Sequence, residues 1–205
     1  MRRIAWCAGF LLGFAVPGSH ASDRDVLIVY TSGIPSKTIS EIPVGEADAA
    51  SGATPKAWNC RLAAETIGFA FHAKGYSVHV AHADSVRSAD ELLDRGIVVF
   101  GMPARFWNVP WDMKRFIDVF LGRVYVSSKT EIQKIVFGGF AMAELAASGE
   151  RALEAFGWAL GDCGTKFSVT EVFLANEPPS SGTVRDRINR LVDGLIEASG
   201  QAPGP

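Results

Sequence analysis

Asp25-Val26-Leu27-Ile28-Val29-Tyr30 is an apolar, largely β-branched run with no polar face. Strands that read this way are covered on both sides, as in a parallel sheet flanked by helices. The pattern recurs along the chain. Residues 58–74 place Leu62, Thr66, Ile67, Ala70 and Phe71 at helical spacing and stop at Lys74-Gly75. Residues 76–80 read as a second strand, and 88–94 as a short helix capped by Ser88. Residues 96–101 are a third strand, again without alternation. Met113, Phe116, Ile117 and Phe120 predict an amphipathic helix over 110–122. A fourth strand covers 135–137 and ends at Gly138-Gly139. A helix over about 148–162, a strand over 167–174 and a last helix striped by Val184, Ile188, Leu191, Val192, Leu195 and Ile196 follow.

Five strands alternating with helices predict an α/β three-layer sandwich, a five-stranded parallel sheet of order 2-1-3-4-5 with helices on both faces. Ligands in such sheets bind beyond the carboxyl ends of the strands, at the switch point between strands one and three. The loops after Tyr30, Phe100 and Phe137 are therefore where chemistry is expected. The first is unusually long. Residues 33–57, rich in Gly, Ala, Ser and Pro, stand where about two to six residues are usual, so they form a lid or an elaborated site wall.

With 205 residues, 48% of them hydrophobic and 20% charged, the chain has the make-up of one globular domain. A net charge of −2 argues against nucleic-acid binding, and the apolar content against disorder. Three cysteines without Cys-x-x-Cys spacing argue against zinc, and no metal site is assigned. Arg2-Arg3, the apolar run 4–16 and Ser19-His20-Ala21 have the layout of a secretory signal peptide, residues 1–21, cleaved before Ser22. The run falls short of the roughly 20 residues of a membrane span. The residues around Arg2-Arg3 fit unfolded export better than twin-arginine export. A periplasmic or secreted domain over 22–199, with no transmembrane segment and a Gly/Pro-rich tail at 200–205, is the expectation. Without Arg2 and Arg3 its charge is −4.

The loop after strand three carries the most specific signal. Gly101, Pro103, Arg105, Phe106 and Asn108, followed by Met113, Lys114, Phe116, Ile117 and Asp118, resemble the second flavin-binding loop of the flavodoxin-like NAD(P)H:quinone oxidoreductases related to tryptophan-repressor-binding protein. That family's pattern is Gly-x-Pro-x-Arg-Phe-Gly-Asn, then Met-Lys/Arg-x-Phe-Leu/Ile-Asp. Trp107 departs from it, standing where the family has glycine. The first loop, Tyr30-Thr31-Ser32-Gly33, resembles the start of a flavodoxin phosphate loop. Its continuation resembles Trp58-Asn59-Cys60, with Trp and Cys replacing Gly and Thr; Ser36-Lys37-Thr38 is the alternative cradle.

The resemblance implies a flavodoxin-like fold and FMN as cofactor. Gly101 and Pro103 would shape a turn that brings backbone amides to the flavin ring, and Phe106, Trp107 and Trp111 either wall the ring or cap the core. Thr31, Ser32, Asn59, Pro103, Ala104, Arg105, Phe106, Trp107, Asn108, Gly138, Gly139 and Phe140 are the candidate cofactor-binding residues. The family often carries an active-site histidine past the third loop; none follows His82 here, so no catalytic residue is assigned. His79 and His82 suit solvated or capping roles. Cys60 and Cys163 either pair or remain as buried thiols. The expected function is an exported FMN-binding oxidoreductase or electron carrier, quinone-reductase-like, with a quinone or redox-protein partner. The alternative is a binding or interaction module of the same fold that has lost FMN and binds another ligand or partner in its cleft.

Overall fold

The computed structural model describes residues 24–32 and 59–200. The expectations placed on the leader 1–21, the insertion 33–57, Trp58, the Ser36-Lys37-Thr38 cradle and residues 201–205 lie outside them.

Strands β1 (Asp25–Tyr30), β2 (Ser77–His82), β3 (Ile97–Pro103), β4 (Val136–Ala143) and β5 (Phe167–Leu174) form one sheet of order β2-β1-β3-β4-β5. Every pairing is parallel. The two-sided strands explain themselves in the packing. In β1, Val26 and Ile28 enter one core while Leu27 and Val29 enter the other. In β3, Ile97 and Val99 share the first, and Val98, Phe100 and Met102 the second. Alternate residues meet opposite apolar layers, so the buried interior of these strands, Val26–Val29 and Ile97–Met102, carries no polar side chain.

The first layer holds helices α1 (Cys60–His72) and α7 (Gly182–Ala198) through Ala63, Ile67 and Phe71, and through Ile188, Leu191 and Leu195. The second holds α2 (Asp90–Leu93), α3 (Trp111–Phe116), α4 (Gly122–Ser127), α5 (Lys129–Ile132) and α6 (Ala146–Asp162). A π-helical turn, Ile117–Leu121, joins α3 to α4, so the expected helix over 110–122 runs on to Ser127. Phe100 is the hub of this layer, with ring centroids 4.7 Å from Phe156, 5.8 Å from Phe116 and 5.9 Å from Phe137. Ser88 does not cap α2. Ala89 precedes that helix, and the Glu91 carboxylate accepts the Arg87 and Ser88 amides instead. His82 does cap: its Nδ1 accepts the Asp84 amide at the start of the 3-10 turn Ala83–Ser85.

The main difference from expectation is β4. It does not end at Gly138-Gly139 but continues to Ala143. A Cβ on Gly138 would lie 2.5 Å from Leu195 Cδ1, and one on Gly139 2.9 Å from Leu153 Cδ2. These glycines let α7 and α6 press onto the strand from its two faces. They are packing residues in mid-strand, not a loop.

Candidate functional site

Four strand ends, those of β1, β3, β4 and β5, are tied together at the carboxyl edge of the sheet. The Thr31 amide donates to the Gly101 carbonyl, Ala104 to Met142 and Ala175 to Ala143, at 2.8–2.9 Å. Above them opens a cavity of about 570 Å³, within the usual range for small-ligand sites. Ser32, Asn59, Pro103, Ala104, Arg105, Phe106 and Trp107 line it, all expected site residues. Cys60, Met142, Ala143, Glu144, Leu145, Ser148 and Ala175 complete the wall.

The floor is the start of α1. Asn59 has extended backbone, and its side chain accepts the Leu62 amide at 2.9 Å while its carbonyl accepts that of Ala63. The Cys60 and Arg61 amides precede the helix's own bonding and present its positive end to the cavity. The Cys60 thiol is buried, and burial pushes its pKa far above the ordinary thiol range. Arg105 and the amides of Met142 and Cys60 oppose that shift, and Asp112 adds to it, which places both charges near the sulfur. Arg105 makes no ion pair with any described residue. Thr31 lies fully buried beside Ser32, its hydroxyl without a partner among the described residues.

The rim is a tight hairpin. Arg105 and Asn108 exchange both backbone hydrogen bonds, 3.1 and 2.9 Å, around Phe106 and Trp107. Both central residues have positive φ, 47° and 64°, the geometry of a two-residue turn that favours Asn and Gly. The aromatics do not cap the core: Phe106 is 99% exposed, Trp107 53% and Trp111 66%. Asn108 turns away, its side chain accepting the amide of Val109.

Phe140, Gly138 and Gly139 do not reach the cavity. Phe140 is buried in the α1/α7 layer, and its ring occupies the place of a Gly101 side chain; a Cβ there would sit 2.1 Å from it. Gly101 thus makes room for phenylalanine, not for a ligand. The third wall comes instead from residues 142–145, just after the strand's true end. The signal for them was the apolar run continuing past the glycines to Ala143, with Glu144 the first charge after it.

Cys60 and Cys163 are both free and buried, in the layers on opposite sides of the sheet, so they cannot pair. A second groove, about 660 Å³, runs between α6 and β5. Its Glu154, Glu171 and Arg187 are spent on Arg151, Arg190 and Glu177. Among the described residues no helix is long and apolar enough to cross a membrane, and no group of metal-ligating side chains gathers.

The strand order, parallel pairing and three-loop cavity agree with solved structures. Over 86% of this chain and 99% of its own, a flavodoxin from the domain Archaea superposes with a TM-score of 0.57 at 16% identity. The chain has the flavodoxin fold. The Trp repressor binding protein of Bacillus subtilis matches 82% of the chain over 97% of its own, with a TM-score of 0.55 and 12% identity. Rubredoxin oxygen:oxidoreductase from Desulfovibrio gigas gives a TM-score of 0.58 at 12% identity, covering 86% of this chain. The chain spans only 36% of that oxidoreductase. No protein-family model matches the sequence, and no curated protein matches it significantly.

FMN joins a phosphate to a flat, largely apolar ring, and the residues present fit both ends. The α1 amides and Arg105 suit an anion, and the Thr31 hydroxyl, next in the chain to Ser32 of the lining, is buried without a partner among the described residues. The Phe106 and Trp107 rings suit an aromatic face.

Proposed function

We propose that this chain is an FMN-binding redox protein of the flavodoxin type, an exported electron carrier or quinone-reductase-like oxidoreductase. The observation that carries this reading is one cavity lined by the start of α1, Arg105 and an aromatic hairpin, with the orphaned Thr31 hydroxyl buried next to its lining residue Ser32 at the end of β1. Thr31, Ser32 and the Cys60 and Arg61 amides would hold the phosphate, Arg105 would balance its charge, and Trp107 would shield a ring face from water. When bound, FMN supplies the electron transfer; the chain orients it and sets its surroundings. The signal-peptide-like layout of residues 1–21 supports export, which makes a quinone or a redox protein a more suitable partner than a free nicotinamide.

Titration of the purified chain with FMN, followed by flavin fluorescence and the visible spectrum, tests the reading. Saturable binding is expected. Arg105→Ala should weaken it by about tenfold or more, the worth of a charge-assisted hydrogen bond. A colourless protein that neither binds FMN nor quenches its fluorescence overturns the proposal. That result would favour the alternative, a flavodoxin-fold module without FMN. One observation speaks for the alternative: Cys60 offers a buried, neutral thiol where the family places a hydroxyl.

A further inference from the structure

Nine large apolar side chains are exposed among the described residues, and six of them lie between positions 106 and 126: Phe106, Trp107, Trp111, Val119, Tyr125 and Val126. Concentration of this kind marks an interaction surface. The same stretch exposes three cations, Lys114, Arg115 and Arg123, against one carboxylate, Asp118; Asp112 is buried. The chain as a whole is acidic, so this face opposes the sign of the rest.

The geometry keeps these groups outward. Phe106 and Trp107 sit at the tip of a two-residue hairpin with left-handed backbone, a conformation that costs bulky residues energy. A phenylalanine exposed to 99% returns none of that cost through packing. Trp111 opens the helix that follows, and Arg115, Val119, Gly122 and Val126 are exposed in turn along it and its π-helical continuation. Val119, Gly122 and Val126 floor a shallow apolar depression there, rimmed by Asp118 and Arg123.

We propose that this face docks the protein on an anionic lipid bilayer. The hairpin aromatics and Trp111 enter the boundary between headgroups and acyl chains, and Lys114, Arg115 and Arg123 lie over lipid phosphates. A second copy of the chain is a poorer occupant, because two-fold pairing would set Lys114, Arg115 and Arg123 against their own copies. Because Phe106 and Trp107 also form the cavity rim, docking turns the mouth of the site toward the bilayer. The proposal does not depend on flavin binding.

Sedimentation of the full chain with vesicles tests it, using phosphatidylglycerol–phosphatidylcholine mixtures against phosphatidylcholine alone. Phe106→Asn combined with Trp107→Gly removes the aromatics while giving the hairpin its preferred Asn-Gly turn, so folding is retained and thermal melting verifies it. That variant should bind at least tenfold more weakly, since burying one aromatic is worth about that factor. Lys114→Glu with Arg115→Glu should abolish the preference for anionic vesicles and the loss of binding in high salt. Residues 4–16 are common to all three chains, so the differences read this face alone. Equal binding by the wild type and the Asn-Gly variant overturns the proposal, as does absence of wild-type binding. Concentration-dependent self-association that the variant loses, without vesicle binding, overturns it in favour of a protein partner.

Discussion

At Trp107 a single residue departs from the family pattern the loop resembles, and the backbone shows what the departure involves. With φ at 64° the position is one that glycine occupies freely and a tryptophan only under strain. Trp107→Gly should therefore raise stability by about 0.5–1 kcal/mol, after allowance for the looser unfolded chain, or about 1–3 °C in thermal melting. An unchanged or lowered melting temperature would mean that the half-exposed indole packs well enough to offset its own strain. The position was visible as an anomaly in the sequence, but its cause was not, since φ has no linear signature. Thr31 is the converse case. Its residue type and place after a strand marked it as a donor, and only three-dimensional packing shows its hydroxyl buried without a described partner.

Among the elements, helix and strand order followed directly from apolar periodicity, because buried strands and amphipathic helices write their packing into adjacent residues. Gly138 and Gly139 misled for a physical reason. A glycine that ends a strand and one that admits a helix look alike locally, and the helix residue concerned, Leu195, lies far along the chain. Gly138→Ala should cost about 1–3 kcal/mol through overpacking, measured by denaturant unfolding. Adding Leu195→Ala should cost less than the two substitutions summed, because removing the leucine methyls vacates the space the new Cβ needs. Strict additivity would rule out this contact as the reason for the glycine. The same misreading displaced the third loop of the site by several residues, from Gly138–Phe140 to residues 142–145.

Across the whole molecule, the sheet separates two apolar layers, with Cys60 in one and Cys163 in the other. Burial holds both thiols above their ordinary pKa. Neither should react with an alkylating reagent near pH 8 until denaturant is added, and reductant should leave the melting temperature unchanged. Rapid native alkylation, or a drop in melting temperature on reduction, would contradict this arrangement. The sign of the pH effect follows. A thiol raised by folding contributes full stability below the ordinary thiol range and loses it as alkaline pH ionises the unfolded chain first. The separation has a consequence for inheritance as well. Lesions on opposite sides of the sheet share no neighbours, so their costs simply accumulate, and a damaged layer can be repaired only by changes on its own side. Over many generations the α1/α7 face and the α3–α6 face should drift as two separately edited texts, joined through the strands whose alternate residues enter both layers.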